Sequence, residues 1–365
     1  YGLIANCNEM VISLMSKPKV CIYIPIDSSG ESHRRIEEAG CEVILGKTSW
    51  RTGIDRDALL ELSRGAHALL GATIKRMPIE GTFLEQLPEL RIISKYTIGV
   101  EDVDLNAASK QGVLVTHSPT EANWGGVAEG TIAFMLALLK RVRERDRHVK
   151  QGGWRDSALM GTYLGKRQDG YPGLTVGIVG FGRCGSRVAE LLAPWNLRVL
   201  ACDPYVEDEK FERYGVRRAT LASLLEESDV VTLHVTLTEE THNLISSMEL
   251  RLMKSTAILI NTCRGAVVDI EALCDALDGE ELAAAAVDVL SEEPPPTNSR
   301  ILSLGDKVIL CPHMVSANTP GTLLPAIPWA TDATLAALRG EVPEHVYNID
   351  AIPRWLDRFG DKPLI

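Results

Sequence analysis

The chain has 365 residues, of which 45% are hydrophobic and 24% charged, and its formal net charge is −11. This length is sufficient for two domains, each with its own buried core. Lys and Arg are spread through the sequence and form no basic stripe, which argues against a nucleic-acid partner. A small anionic substrate is compatible with this charge, because one local Arg and a few backbone amides can hold a carboxylate.

No uninterrupted apolar run reaches the roughly 18 residues that a membrane span needs. The apolar patch Met10–Met15 has no basic residue before it and no small-residue cleavage pattern after it. We therefore expect neither a membrane partner nor a signal peptide, and expect residues 1–14 to be an extension with little structural role. The eight cysteines form no CxxC pair, which favours reduced thiols and a cytoplasmic location. No disulfide framework and no metal site are expected.

The first hundred residues alternate short β-branched runs with helical patterns. The predicted strands are Val20–Ile26, Glu42–Leu45, Ala68–Leu70 and Leu90–Ser94, and the predicted helices are Ser32–Ala39 and Arg56–Ser63. Such alternation predicts a parallel sheet covered on both faces.

The middle of the chain carries a longer helical pattern over Val127–Val142, which runs into a charged segment, Lys140–Lys150, predicted to be a solvated helix face. The stretch Gly152–Pro172 is predicted to be a connector or arm. A second, more regular alternation begins at Leu174 and ends in a helix at Ala330–Arg339 and a Pro-containing tail. Its predicted strands are Thr175–Val179, Arg198–Cys202, a short Val216–Ala219, Val230–Val235, Ala257–Asn261, Ala284–Val289 and Lys307–Cys311.

A GxGxxG pattern formed by Gly180, Gly182 and Gly185 follows an apolar strand and precedes a predicted helix, Arg187–Ala193. In this context the glycines permit a tight turn, close approach of a pyrophosphate and close helix–strand contact. The helix N-terminus would add N–H groups and the positive end of its dipole. Asp203, at the end of the next strand, would accept hydrogen bonds from ribose hydroxyls and repel a 2′-phosphate. The next three residues supply no Arg or Lys, so NAD is expected rather than NADP.

Further polar side chains follow later strands, at the edge where open α/β sheets bind ligands. Arg264 can hold a substrate carboxylate and polarise its carbonyl through its rigid fork of donors. His313 can take or give a hydroxyl proton, and a paired carboxylate would orient the imidazole and favour its charged form. On composition alone, Glu292 and Glu293 are a solvated acidic pair that precedes a Pro run.

In their order along the chain, these motifs resemble those of the D-isomer-specific 2-hydroxyacid dehydrogenase family. The resemblance implies that Arg264, Glu293 and His313 are catalytic and that Asp288 contacts the nicotinamide carboxamide. The five-residue step from Asp288 and the following Pro294 favour Glu293 over its neighbour.

Two segments nearer the N-terminus also resemble this family. The segment that begins at Lys95 resembles the loop that binds the substrate carboxylate, with Thr97 in the pocket floor and backbone amides supplied by Ile98 and Gly99. The stretch that begins at Gly126 resembles the entry into the long interdomain helix.

Residues lining the cofactor are also implied by the resemblance. They are Gly180, Gly182, Arg183, Cys184, Gly185, Asp203, His234, Thr236, Thr241, Thr262, Cys263, Asp288 and Ser316. For His234, lining the cofactor and plain packing are equally compatible with its position. Several residues depart from the family pattern: Thr97 stands where many members have Gly or Asn, Thr236 replaces a common Pro, and Val315 and Ser316 replace smaller residues.

The fold implied by the resemblance is α/β, with two Rossmann-like domains built on doubly wound parallel sheets. An NAD-binding domain of residues 123–318 is expected to be inserted into a flavodoxin-like substrate domain of residues 1–122 and 319–365, with a cleft that closes by a hinge. The implied enzyme is an NAD-dependent oxidoreductase of small D-2-hydroxy acids and 2-keto acids. A homodimer is expected, with Ile132–Leu139 and the Gly152–Pro172 arm at its interface.

The competing hypothesis is a binding module, namely an NAD-sensing corepressor with weak dehydrogenase activity, although no peptide-binding groove is marked in the sequence. Formate dehydrogenase is disfavoured, because Gln is expected there at the position of Glu293. Phosphoglycerate dehydrogenase stays open.

Overall fold

The computed structural model describes residues 17–47, 54–72, 78–319, 321 and 323–365. The extension expected at residues 1–14 lies outside this part of the chain. The described residues form two compact units, the first ending at Thr120 and resuming at Gly321, and the second beginning at Glu121.

Every sheet pairing between the named strands is parallel. The strands of the first unit are β1 (Lys19–Ile22), β2 (Glu42–Leu45), β3 (Ala68–Gly71), β4 (Ile92–Lys95) and β5 (Leu114–Thr116). Those of the second unit are β6 (Thr175–Val179), β7 (Arg198–Cys202), β8 (Arg217–Arg218), β9 (Val230–Leu233), β10 (Ile258–Asn261), β11 (Ala284–Val287) and β12 (Val308–Leu310).

The helices that connect these strands are, in the first unit up to Thr120, α1 (Glu31–Glu38), α2 (Arg56–Ser63), α3 (Gly81–Leu84) and α4 (Leu105–Gln111). The second unit has α5 (Glu121–Leu139), α6 (Val142–Lys150), α7 (Arg183–Leu192), α8 (Asp208–Arg213), α9 (Leu221–Glu227), α10 (Ser247–Leu252) and α11 (Ile270–Asp278). The first unit then resumes with α12 (Ala326–Leu338) and α13 (Ile352–Phe359).

The strand orders confirm the predicted fold class. The first sheet has the order β2-β1-β3-β4-β5, which is the flavodoxin-like order. The second has the order β12-β11-β10-β9-β6-β7-β8, which is a Rossmann order with one added strand. The core of the second unit lies on both faces of its sheet, since in β10 Leu259 packs into one cluster while Ile258 and Ile260 pack into the other.

All the predicted strands are present, several with shorter bounds. Strand β1 ends at Ile22 rather than Ile26, and the segment after it contains Pro25, which lacks the N–H needed by a sheet ladder. Strand β5 was not predicted, because three residues carry too little periodicity.

The predicted helices need three corrections. The long helix does not reach Val142: it ends at Leu139, and Arg141 adopts a left-handed φ of 52° before α6 begins. Helix α6 buries none of its residues, so the charged run is solvated as predicted. Helix α7 starts at Arg183, four residues before its predicted start, with Gly182 as its N-cap. Helix α12 starts at Ala326, four residues before its predicted start, and the Pro-containing tail after it holds α13, which buries Trp355.

One helix in the described part of the chain, α5, has the length and apolar composition of a membrane span, although it holds no uninterrupted apolar run of that length. The same test is passed by core helices. Helix α5 buries Ala128, Phe134 and Met135 in the core of the second unit, and we therefore assign it as a core helix.

Candidate active site

The glycine-rich turn joins β6 to α7 in the second unit. Gly180 has a φ of 88°, which L side chains rarely adopt, and a Cβ on Gly185 would lie 2.1 Å from the carbonyl oxygen of Gly180. Gly182 faces open space, and α7 begins there without a side-chain cap. The turn therefore leaves room and helix N–H groups for a phosphate.

Asp203 follows β7 and is tied to this turn. Its Oδ2 accepts a hydrogen bond of 2.8 Å from the N–H of Phe181, and its Oδ1 accepts one of 3.0 Å from the N–H of Tyr205. A cavity of about 650 Å³ opens beside Asp203 and is lined also by Phe211 and Arg218. The carboxylate is thus held between the glycine turn and a cavity large enough for part of a nucleotide.

Two cations that no motif in the sequence marked lie near Asp203. Lys210 Nζ donates to the carbonyl of Gly182 at 3.4 Å, and Arg218 donates to the carbonyl of Asp203 at 3.4 Å. Burial lowers the pKa of Lys210, and Asp203 opposes that shift. Both cations come from elements later in the chain, so the residues directly after Asp203 gave no signal of them.

His234 follows β9 beneath the glycine turn, where a Cβ on Gly180 would meet its carbonyl oxygen at 2.5 Å. Its Nε2 is 2.9 Å from Thr232 Oγ1, while its Nδ1 is buried and has no hydrogen-bond partner among the described residues. Burial lowers the pKa of His234 to about 4. In the loop that follows, the hydroxyl of Thr241 donates to the carbonyl of Thr236 at 2.6 Å.

Arg264 lies just past β10. The side-chain amide of Asn261 donates to the carbonyl of Arg264 at 3.0 Å, and Arg264 Nη1 donates to the carbonyl of Cys263 at 2.7 Å. A Cβ on Gly265 would lie 2.0 Å from the carbonyl carbon of Leu290. Glycine at this position therefore lets the Arg264 turn approach the segment that leads to Glu293.

The neighbours of Arg264 are buried. Thr262 Oγ1 is 3.2 Å from Thr131 Oγ1 on α5. The Cys263 thiol donates to Asn261 Oδ1 at 3.1 Å, and burial raises its pKa to about 11. Burial likewise raises the pKa of Cys184, on the first turn of α7, to about 11. Both thiols stay protonated near neutral pH, so neither has the thiolate character of a nucleophile.

Asp288 connects β11 to the turn that carries His313. The N–H of His313 donates to the carbonyl of Asp288 at 2.7 Å, and Asp288 Oδ1 accepts from the N–H groups of Met314 at 2.9 Å and Val315 at 3.2 Å. Burial raises the pKa of Asp288, which the two backbone hydrogen bonds oppose. These contacts fix the turn in which His313 adopts a left-handed φ of 55°.

Glu293 is the carboxylate that the structure brings to His313. Both Glu293 oxygens lie 3.0 Å from His313 Nδ1, and Oε1 also accepts a hydrogen bond from the N–H of Leu290. Glu292 is exposed. A carboxylate in contact with an imidazole can support transfer of a proton to an oxygen atom, and a guanidinium that follows the neighbouring strand β10 can hold an anion.

The segment predicted to bind the substrate carboxylate follows β4 in the first unit. Its carbonyl oxygens are engaged within that unit: Ser118 Oγ donates to Lys95 O at 2.8 Å, Ser118 N–H to Thr97 O at 3.1 Å, and Thr97 Oγ1 to Gly99 O at 2.8 Å. His117 Nδ1 is 3.3 Å from Ile98 O. No motif in the sequence marked the contact of His117 with this loop.

Comparison with known proteins identifies the family. A family model described as the NAD binding domain of D-isomer specific 2-hydroxyacid dehydrogenases matches residues 132–315. A glyoxylate reductase of Korarchaeum cryptofilum is 39% identical over 92% of this chain and 97% of its own length. The structure of a D-lactate dehydrogenase from Aquifex aeolicus, complexed with NAD and lactic acid, has a TM-score of 0.74 and 28% identity, covering 88% of this chain and 96% of that one. The chain belongs to the D-isomer specific 2-hydroxyacid dehydrogenase family.

As a member of this family, the chain is an NAD-dependent oxidoreductase that interconverts 2-hydroxy acids and 2-keto acids. The second unit fits NAD, because Gly182 faces open space at an uncapped helix N-terminus and Asp203 lies beside the 650 Å³ cavity. A D-3-phosphoglycerate dehydrogenase of Archaeoglobus fulgidus is also similar, with 33% identity over 84% of this chain, but the match covers only 54% of that protein.

Proposed function

We propose that this dehydrogenase reduces a small 2-keto acid of the glyoxylate class to the D-2-hydroxy acid. The observation that carries the proposal is the hydrogen-bonded pair of His313 and Glu293, in which both carboxylate oxygens are 3.0 Å from Nδ1. Similarity to the glyoxylate reductase of Korarchaeum cryptofilum over nearly the full length of both chains supports the substrate class.

Each proposed catalytic residue has one task. NADH, when bound, supplies the hydride. His313 gives a proton to the carbonyl oxygen from Nε2, because Nδ1 is occupied by Glu293. Glu293 orients the imidazole and stabilises its charged form. Arg264 polarises the carbonyl and holds the substrate carboxylate through its fork of donors.

The backbone amides of Ile98 and Gly99 are proposed to bind the substrate carboxylate. Three carbonyl oxygens of this turn already have polar neighbours. Thr97 O accepts a hydrogen bond from Ser118 N–H, and Gly99 O accepts one from Thr97 Oγ1. Ile98 O lies 3.3 Å from His117 Nδ1. Fixed N–H donors on a turn of this kind suit an anion, since they need no reorganisation when it binds.

The cofactor is proposed to bind along the glycine turn, with its diphosphate at Gly182, Arg183 and the α7 N-terminus and its adenosine beside Asp203. The contacts predicted for His234, Thr236, Thr241, Thr262, Cys263, Asp288 and Ser316 stay predictions. So do the cytoplasmic location and the expectation of neither a nucleic-acid nor a membrane partner.

A screen of 2-keto acids with NADH tests the function. We expect the best kcat/KM with short acids such as glyoxylate and hydroxypyruvate, and a D product from hydroxypyruvate in chiral analysis. An L product, or equal activity on ketones that lack a carboxylate, would contradict the proposal. Tight NADH binding without turnover of any 2-keto acid would favour the NAD-sensing binding module instead.

The chain is further proposed to form a homodimer through α6 and the segment after it, which includes the predicted arm. The helix part predicted at Ile132–Leu139 is replaced in this proposal, because Phe134, Met135, Leu138 and Leu139 pack into the core of the second unit. Five large apolar side chains are exposed there, and contiguous exposed apolar surface marks protein interfaces. They are Val142, Val149, Trp154, Met160 and Tyr163. Trp154→Glu should convert a dimer to a monomer in light scattering, whereas Met248→Glu, at an equally exposed apolar residue outside this segment, should not. A monomeric wild-type protein would contradict the proposal.

A further inference from the structure

Lys95 is the last residue of β4 and is fully buried in the first unit. Its Nζ lies 2.6 Å from Asp102 Oδ2, 2.9 Å from Tyr23 Oη and 3.0 Å from the carbonyl oxygen of Ala72. An ammonium group has three N–H donors. Each of the three therefore has an acceptor, and Asp102 supplies the opposite charge.

The ion pair closes a short loop. Lys95 ends the strand, and Asp102 lies seven residues later, so residues 96–101 form the segment between them, which includes Ile98 and Gly99. The far end of this loop is itself anchored, because the N–H of Ile79 donates to the carbonyl of Asp102 at 2.6 Å. Both ends of the loop are thus anchored within the first unit.

Removal of either partner would change the loop for an electrostatic reason. A buried charge without its counter-ion is strongly destabilised, and a protein relieves this by neutralising the group or by a local shift that lets water reach it. Residues 96–101 are covalently joined to both partners, so they are the segment that would shift. Tyr23 and Ala72 contact the ammonium end of the pair.

We propose that Lys95 and Asp102 are a positioning pair that holds the Ile98–Gly99 turn in the conformation that binds the substrate carboxylate. This rests on the proposed function, in which those amides receive the carboxylate. Lys95 acts through the loop and is not itself placed at the reacting atoms. Displacement of a binding group by about 1 Å can reduce catalytic efficiency about 100-fold.

The test compares Lys95→Met, Asp102→Asn and Tyr23→Phe with the wild-type enzyme. We expect Lys95→Met to raise the KM for glyoxylate and the Kd for oxalate about 10- to 100-fold, with a smaller change in kcat and an unchanged Kd for NADH. Asp102→Asn keeps a hydrogen-bond acceptor and should have an intermediate effect, and Tyr23→Phe a small one. Arg35→Met, which breaks an exposed ion pair with Asp332, is the matched control and should change neither constant.

A double variant separates positioning from general stabilisation. Lys95→Met with Asp102→Leu leaves no buried charge, so it should regain the thermal stability lost in Lys95→Met while its oxalate Kd stays high. If the double variant regains both thermal stability and wild-type oxalate affinity, the positioning role is overturned. It is overturned as well if the single variants have the wild-type KM for glyoxylate and the wild-type Kd for oxalate. If Lys95→Met does not fold, the other two variants decide the question. A larger oxalate Kd in Asp102→Asn than in Tyr23→Phe supports the positioning role, and wild-type oxalate binding in both variants overturns it. A wild-type enzyme that neither reduces glyoxylate nor binds oxalate would overturn the proposed function itself.

Discussion

His313 Nδ1 lies 3.0 Å from both carboxylate oxygens of Glu293. Since an ionised carboxylate only accepts hydrogen bonds, Nδ1 carries the hydrogen and Nε2 is the nitrogen left to exchange a proton. The backbone of His313 is fixed as well, through the 2.7 Å hydrogen bond from its N–H to the carbonyl of Asp288. The position of the imidazole is therefore set by two contacts, one at its Nδ1 and one at the main-chain N–H of His313.

Replacement of His313 tests its role as proton donor. Positioned general acids contribute about 10²- to 10⁴-fold to the rate, so we expect His313→Ala to lower kcat for glyoxylate reduction by about that factor. NADH affinity, measured by fluorescence titration, should stay near the wild-type value. His242→Ala, at an exposed histidine of the same unit, is the control and should keep full activity. Near-normal turnover by His313→Ala would show that another group donates the proton.

The partner of His313 can be tested with two neighbouring carboxylates. Glu293→Gln should lower kcat for reduction, because the ring of His313 loses the charged acceptor that orients it. The loss should be smaller than in His313→Ala, since the proton donor itself is kept. Glu292→Gln makes the same chemical change one residue away and should keep the wild-type kcat. A loss of kcat in Glu292→Gln, with a wild-type rate in Glu293→Gln, would show that Glu292 is the partner of His313.

Coenzyme preference is expected to depend on Asp203. Asp203→Ala should weaken NADH and improve NADPH, each by about tenfold in kcat/KM, because a charged hydrogen bond contributes about 1.5–3 kcal/mol. Lys210 and Arg218, whose side chains donate to the carbonyl oxygens of Gly182 and Asp203, leave an excess of positive charge at this position once the carboxylate is gone. Asp203→Asn removes the charge and keeps an acceptor for the N–H of Phe181. Comparison of this variant with Asp203→Ala therefore separates the effect of the charge from the effect of lost support for the glycine turn. Equal kinetics of the wild-type enzyme with both coenzymes would contradict this prediction.

The sequence predicted the site residues at strand ends, but it did not predict the buried ion pair. Residues at strand ends, such as Asp203 and His313, follow an apolar run directly, so their position at the sheet edge follows from the alternation of strands and helices. The ion pair between Lys95 and Asp102 has no such signal, because a lysine at the end of a strand is usually solvated. Its burial depends on Tyr23, which only the tertiary fold brings to it.

Stability at acidic pH is expected to depend on His234. Its pKa of about 4 in the folded protein lies below the ordinary value of 6.5, because burial disfavours the charged ring. The unfolded chain therefore binds a proton that the folded protein excludes between these two values, and stability that is fully present above about pH 6.5 is lost as the pH falls toward 4. The loss amounts to about 2–3 kcal/mol. His234→Gln can keep the hydrogen bond to Thr232 and cannot gain a proton, so its urea midpoint should fall less than that of the wild-type protein between pH 7.5 and pH 4.5. Parallel loss of stability in the two proteins would mean that the buried ring is not the group that titrates.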